Sequence, residues 1–296
     1  MNATLPGPRP ALLPFLAVLR IAGPDATSFL QGQLTHDVGR LVDGRTLLAA
    51  ASTPQGRVVA LLRLRQGEHG IDALLPVDLV EAVAARLRKF VLRARVDVQV
   101  ADHLRVAWAA GGTAAVRAVA PSGVAPVWFD YAPGRQAVAA PGADLQALLG
   151  AQPATNAAGI ENAWWSADVA AGLPQVFAAS SEAFVPQMLN LDLLDAISFS
   201  KGCYTGQEIV ARTQHLGRIK RRTARFRLPA GPPLPPLAGL FLDGTKVAEV
   251  VIGAVAGDGL ELLAVTSLEA WGRTLIAEDG REAVPQALPY AVASNG

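Results

Sequence analysis

The stretch FVPQMLNLDLLDAISFSKGCYTGQEIVARTQHLGRIKRR, residues 184–222, decides how this chain is read. Its centre, KGCYTGQE from Lys201 to Glu208, gathers a cation, the single thiol of the protein, an aromatic ring and a helix start into one turn. Gly202 and Gly206 permit positive φ or close backbone approach, which a residue with a Cβ adopts only at a cost. Thr205 and Glu208 form a T-x-x-E capping box, so a helix is expected from near Gly206 through QEIVARTQH to Gly217. Its first N–H groups and the positive end of its dipole would then face Lys201 and Cys203. Such a place favours a thiolate over a thiol, or an anion over water. The alternative is a tight turn in which a small Cys merely packs.

The totals bound the rest. A chain of 296 residues, 51% hydrophobic and 17% charged, reads as a well-packed protein of two or three domains. No window is apolar enough for a membrane span, and the proline-broken start does not read as a secretory signal. One Cys excludes an internal disulfide and any cluster held by several thiolates of one chain. The four His are scattered, so no metal site is expected, and a cytoplasmic location is the default. Net charge is +1 but uneven: residues 201–227 hold eight Lys or Arg against Glu208 alone, a local +7. The other 18 basic and 24 acidic residues leave −6 elsewhere. A basic stripe on an acidic protein is the footprint of a polyanion or carboxylate-rich ligand, or else a strand edge guarded by charge.

Along the chain, Gly23-Pro24-Asp25 caps a short helix in DATSFLQGQL. RTLLAAAS and RVVALLRLR read as strands joined by Thr53-Pro54-Gln55-Gly56, a turn of type II. Asp78 and Glu81 cap a helix over 78–93 whose Leu79, Val80, Val83, Leu87 and Val91 share a face. RARVDVQV and HLRVAWAA read as strands, ENAWWSADVAAGL as a helix. LPAGPPLPPLAG, residues 228–239, cannot continue a helix or enter a central strand and reads as a linker. Beyond it, short strands with hairpin signals at Asp243-Gly244 and Gly257-Asp258-Gly259 suggest a small antiparallel barrel or sandwich.

Four segments resemble the YgfZ-type folate-binding proteins, relatives of the glycine-cleavage aminomethyltransferase (T-protein). They are FLQGQLTHDV at 29–38, STPQGRVVA at 52–60, LPVDLVEAVAARLRKFVLRARV at 75–96 and the stretch at 184–222. The resemblance implies an α+β fold: an aminomethyltransferase-like ring of interleaved α+β subdomains plus a small C-terminal β-barrel. It sets expected boundaries at 1–227 for the folate-binding module, 228–239 for the linker and 240–296 for the barrel. It implies tetrahydrofolate or a derivative as ligand, with a flat apolar slot for the pterin, a carboxylate for its edge and cations for the glutamate tail. Trp164, four residues before DVAAG at 168–172, falls where a relative places a folate-contacting Trp; a core aromatic pair with Trp165 is the alternative. Tyr204, Glu161, Gln207 and Arg212 complete the expected binding set. Two positions depart from the pattern. In aminomethyltransferases G-G-I-I-D-D supplies an aspartate that acts on the transferred methylene, and Val59 and Ala60 stand there. Where relatives read I-E-A-G, this chain has Ala170, with Glu161 or Asp168 as substitutes.

Three functions follow in order. The first is a tetrahydrofolate-binding accessory factor for assembly or repair of iron–sulfur clusters, including those of tRNA-modifying enzymes. In it Cys203 is the reactive thiolate, Lys201 lowers its pKa, Tyr204 shapes the pocket, and Gln207 and Glu208 fix the loop. The second is a folate-dependent one-carbon transferase, with RNA as a candidate acceptor, which the basic stripe favours and Val59-Ala60 disfavours. The third is a plain RNA-binding module, in which 212–227 contacts tRNA without stacking partners. No enzyme activity is assumed. Expected partners are folate and iron–sulfur clients, and the protein is expected to be a monomer away from membranes.

Overall fold

Apolar strands punctuated by Gly and Pro dominate the chain. The computed structural model, which describes residues 11–42, 44–109, 123, 125–149, 157–215 and 219–292, arranges them in three sheets. In chain order the elements begin with β1 (Ala11–Leu12), β2 (Leu16–Ala22), α1 (Ala26–Gln31), β3 (Thr46–Ser52), β4 (Val58–Gly67), β5 (Gly70–Pro76) and α2 (Val77–Arg88). They continue with β6 (Asp97–Val100), β7 (Leu104–Ala109), β8 (Val127–Ala132), β9 (Arg135–Pro141), α3 (Gly142–Leu149), α4 (Ala157–Ala170) and α5 (Gln207–His215). The last six are β10 (Arg221–Pro229), β11 (Gly239–Leu242), β12 (Thr245–Ala256), β13 (Gly259–Ser267), β14 (Leu275–Ala277) and β15 (Glu282–Gln286). Two units interleave along the chain: Met1–Ala49 with Leu62–Ile160, and Ala50–Leu61 with Glu161–Gly296. The tip of the β3–β4 hairpin, residues 50–61, therefore belongs to the second unit.

The first unit carries a five-stranded sheet, order β3-β4-β5-β2-β6, and a four-stranded one, order β1-β7-β9-β8. β2 and β5 pair antiparallel from Leu16↔Pro76 to Ala22↔Gly70. α2 buries Leu79, Val80, Val83, Ala84 and Leu87, each large aliphatic among them contributing about 1.5–3 kcal/mol. This helix starts one residue before the expected cap, with Pro76 at the N-cap position and no side-chain bond there. It stops at Arg88, so Val91 lies beyond its face. Asp25 likewise does not cap α1 with its side chain. Its carboxylate accepts instead from the Arg95 backbone N–H at 2.8 Å, and hydrogen bonds from Arg95 hold it below the usual aspartate range.

In the second unit β10 to β15 close into a barrel, order β10-β13-β12-β11-β14-β15, with each neighbouring pair antiparallel. β15 returns to β10 through Arg225↔Gln286 and Arg227↔Val284, which leaves no free edge. Phe226, Leu228, Leu240, Val250, Leu260, Leu262 and Leu275 fill its interior. Asp243 and Gly244, at φ +50° and +77°, make the type I′ turn that the hairpin signal demands. The Pro-rich residues 228–239 do not precede this barrel. They run from the end of β10 to the start of β11, so the barrel begins at Arg221.

β10 also ties the preceding loop to the barrel. Arg222 donates to both carboxylate oxygens of Asp192 at 2.9 and 2.7 Å, to the Gln187 carbonyl and to Asn190 Oδ1. Asn190, in the left-handed region at φ +56°, donates to the Thr223 carbonyl, and Thr223 Oγ1 to the Met188 carbonyl. Both ionic side chains are only 8% exposed. Removing one charge of a buried pair strands the other, at about 3–5 kcal/mol. Asp192→Asn should therefore lower the unfolding midpoint sharply, read by thermal denaturation, whereas Asp243→Asn in its open turn should leave it nearly unchanged.

Candidate functional site

The KGCYTGQE loop is held by contact between two backbones. Gly206 sits at φ +86° immediately before α5, and a Cβ there would lie 2.5 Å from the Thr53 carbonyl oxygen and 3.1 Å from Gly56 Cα. Gly56 sits at φ +71°, and a Cβ on it would meet Ile209 at 2.9 Å. The two glycines let the start of α5 press directly on the hairpin tip. That tip is not a type II turn: the positive φ falls on Gly56 and not on Gln55, with Gly56 N–H donating to the Thr53 carbonyl at 2.9 Å. Residues 57–59 then bond to 181–184. Val58 N–H donates to Phe184 O, Glu182 N–H to Val58 O, Ser181 Oγ to Val59 O, and Arg57 Nη1 to Ala183 O.

α5 begins at Gln207, whose N–H donates to the Tyr204 carbonyl while its side-chain oxygen accepts from Tyr204 N–H at 3.2 Å. This reciprocal pair braces the turn that the sequence assigned to Thr205 and Glu208. The expected helix end at Gly217 lies outside the described residues, as does Arg218. Cys203 is exposed on this braced loop. Lys201 Nζ lies 5.1 Å from the ring centroid of Tyr204, a cation–π contact. Tyr204 is buried, 7% exposed, and burial pushes its phenol up to about 12. Gly202 has open space where a Cβ would sit and no positive φ, so it is not a glycine by necessity.

Of the expected binding residues, Trp164 and Glu161 are engaged within the fold. Trp164 is fully buried and offers no ring face to a ligand; it belongs to the core, because α4 turns it inward with Val169. Trp165, 6% exposed, packs edge-on against Phe177 and donates its Nε1–H to Glu161 Oε1 at 3.1 Å. Glu161 is thus engaged by the indole beside it. Arg212 is exposed on α5. Val59 and Ala60 are buried apolar residues, so β4 presents no carboxylate there.

Half of the basic stripe is paired with acids distant in sequence. Arg221 pairs with Glu249, Arg222 with Asp192, Arg225 with Glu261, and Arg227 with Asp258 and Glu261. Four of the eight cations are therefore held in ion pairs within the second unit. Arg212 and Lys220 remain exposed. Sequence reading also missed a cavity of about 220 Å³ against the barrel, lined by Arg225, Trp271, Gln286, Leu288 and Tyr290 among others. Only the Arg225↔Gln286 register, formed on barrel closure, brings its walls together. Among the described residues no three His, Cys, Asp or Glu lie close enough to hold a metal ion, and no helix is long and apolar enough to cross a membrane.

No family model matches this chain. It is similar to the tRNA-modifying protein YgfZ of Klebsiella pneumoniae (strain 342), 32% identical over 271 residues that cover 83% of this chain and 81% of that protein. It is 31% identical to the protein of the same name from Enterobacter sp. (strain 638), covering 93% of this chain and 91% of the relative. Its fold is that of the glycine cleavage system aminomethyltransferase T of Bartonella henselae, with a TM-score of 0.73 and 18% identity over 95% of this chain and 86% of that one.

Two measurements test the loop. Gly206→Ala combines left-handed strain, about 1–3 kcal/mol, with a backbone clash, and should lower the thermal midpoint by several degrees. Gly202→Ala should not move it. Tyr204 also makes a pH signature. The folded phenol keeps its proton up to about 12, above the ordinary value of 10, so its contribution is complete below pH 10 and is lost as pH rises through 12. In Tyr204→Phe the stability loss between those limits should be shallower, as followed by denaturant titration.

Proposed function

The chain belongs to the family of the tRNA-modifying protein YgfZ, and from that membership we propose that it serves tRNA modification as a tetrahydrofolate-binding accessory factor for iron–sulfur enzymes. The observation that carries this reading is the exposure of Cys203 on a loop braced on its C-terminal side. A thiol in that position is open to the sulfur or iron of a client protein, while the loop itself does not have to be ordered on contact. Lys201, held over Tyr204, supplies positive charge on the same turn.

Tetrahydrofolate, implied by the family resemblance, fits these residues in part. Lys201 and Arg212 provide cations for its glutamate tail, and Tyr204 and Gln207 shape the loop between them. Stacking of the pterin does not fall to Trp164, which is enclosed. A transferase would need a titratable group within hydrogen-bond reach of the reacting nitrogen, and Val59 and Ala60 supply none. Contact with tRNA would rest on Arg212 and Lys220, the cations of the stripe that are exposed among the described residues, and would weaken steeply with salt.

Complementation of a strain lacking the family member tests the role of the thiol. Cys203→Ala, confirmed as folded by circular dichroism, should fail to restore the activity of iron–sulfur tRNA-modifying enzymes. Full rescue would remove Cys203 from the mechanism. Calorimetry with tetrahydrofolate should show binding by the wild type, weakened in Lys201→Ala and Arg212→Ala; absence of binding heat in the wild type would end the folate assignment.

A further inference from the structure

We infer that Arg63 is the centre of an oxyanion-binding site in the first unit, suited to the phosphate or carboxylate group of a small ligand. Arg63 lies on β4 and is only 3% exposed, yet no carboxylate among the described residues pairs with it. Its guanidinium carbon lies 3.4 Å from the ring centroid of Tyr131. Its one hydrogen bond to the protein, Nε to the Tyr131 carbonyl, is 3.5 Å long and weak. The two terminal amino groups meet no acceptor among the described residues.

The surroundings add positive charge. Arg135, 5% exposed, lies 4.7 Å from the centroid of the same ring, which places the two guanidinium carbons within roughly 8 Å of each other. Arg65, two residues along β4 and so on the same face as Arg63, donates to the Gly44 carbonyl. Asp130 turns one oxygen to Arg65 at 3.8 Å and accepts from Gln136 Nε2 at 2.6 Å with the other. It gives nothing to Arg63.

The energetics leave a deficit. Removing a cation from water costs several kcal/mol even after relaxation, whereas a desolvated cation–π contact returns about 2 kcal/mol. An oxyanion on the terminal amino groups closes that gap, because the planar guanidinium fork matches a carboxylate or phosphate bidentately.

Thermal unfolding and calorimetry of the full chain, with sodium phosphate, sodium acetate and an ionic-strength-matched sodium chloride control, test the site. Phosphate or acetate should bind the wild type and raise its midpoint above the chloride control, and the stronger of the two identifies the ligand group. Arg63→Met should weaken that binding at least about tenfold while its anion-free midpoint stays at or above the wild-type value. Arg63→Lys should fall between them, because it keeps the charge and loses the fork. A wild type stabilised no more by phosphate or acetate than by chloride would overturn the inference. So would an Arg63→Met variant that binds as tightly as the wild type. If Arg63→Met does not fold, Arg63→Gln and the wild-type titration decide on the same terms.

Discussion

The contact of Gly206 with the backbone of Thr53 and Gly56 is the constraint on which the second unit's loop depends. At 2.5 Å from a carbonyl oxygen there is no room for a methyl group, and left-handed φ at both glycines adds its own exclusion. Because the clash is with backbone atoms, no rotamer change relieves it. Two segments some 150 residues apart in sequence are thereby fixed against each other, and the bonds from 57–59 to 181–184 extend the junction. Cys203 is placed by this junction and by the brace between Gln207 and Tyr204.

The same economy of position appears in the barrel. β10 carries Arg at 221, 222, 225 and 227, a density that would repel if left alone. β12 and β13 bring Glu249 and Glu261 beside it, and Asp192 from the preceding loop takes the buried Arg222. Exposed members of this set contribute little individually, about 0–1 kcal/mol each. Arg222 differs because burial makes its partner obligatory, and it acts as a fastener between barrel and loop. Half of the cations that read in sequence as a ligand footprint are therefore paired with acids of the barrel and the loop before it.

How far the sequence revealed this depended on whether the deciding interaction was local. The barrel hairpins were legible because Asp243-Gly244 and Gly257-Asp258 carry their turn chemistry within two residues. The loop, the helix after it and the aminomethyltransferase-like fold were legible through KGCYTGQE and its companion segments. What failed was non-local. Arg225 and Glu261 are 36 positions apart, and no count of charge along a window pairs them. Trp164 looks available in a helix of weak amphipathicity, and only packing shows that it is enclosed. The prolines of 228–239 announce an interruption, but whether it lies before a domain or inside one depends on which strand closes with β15.

Val59 and Ala60 join these points into one argument about chemistry. They sit in the strand leaving the hairpin tip, beside the segment that fixes the KGCYTGQE loop, and their contribution there is backbone bonding and burial. A carboxylate at either position would be desolvated and would need its own partner, at a cost of several kcal/mol. The hairpin thus acts as a support for the loop that carries the exposed Cys203. A scaffold that shares the fold of an aminomethyltransferase holds buried apolar side chains at these two positions and spends their backbone on fixing that loop.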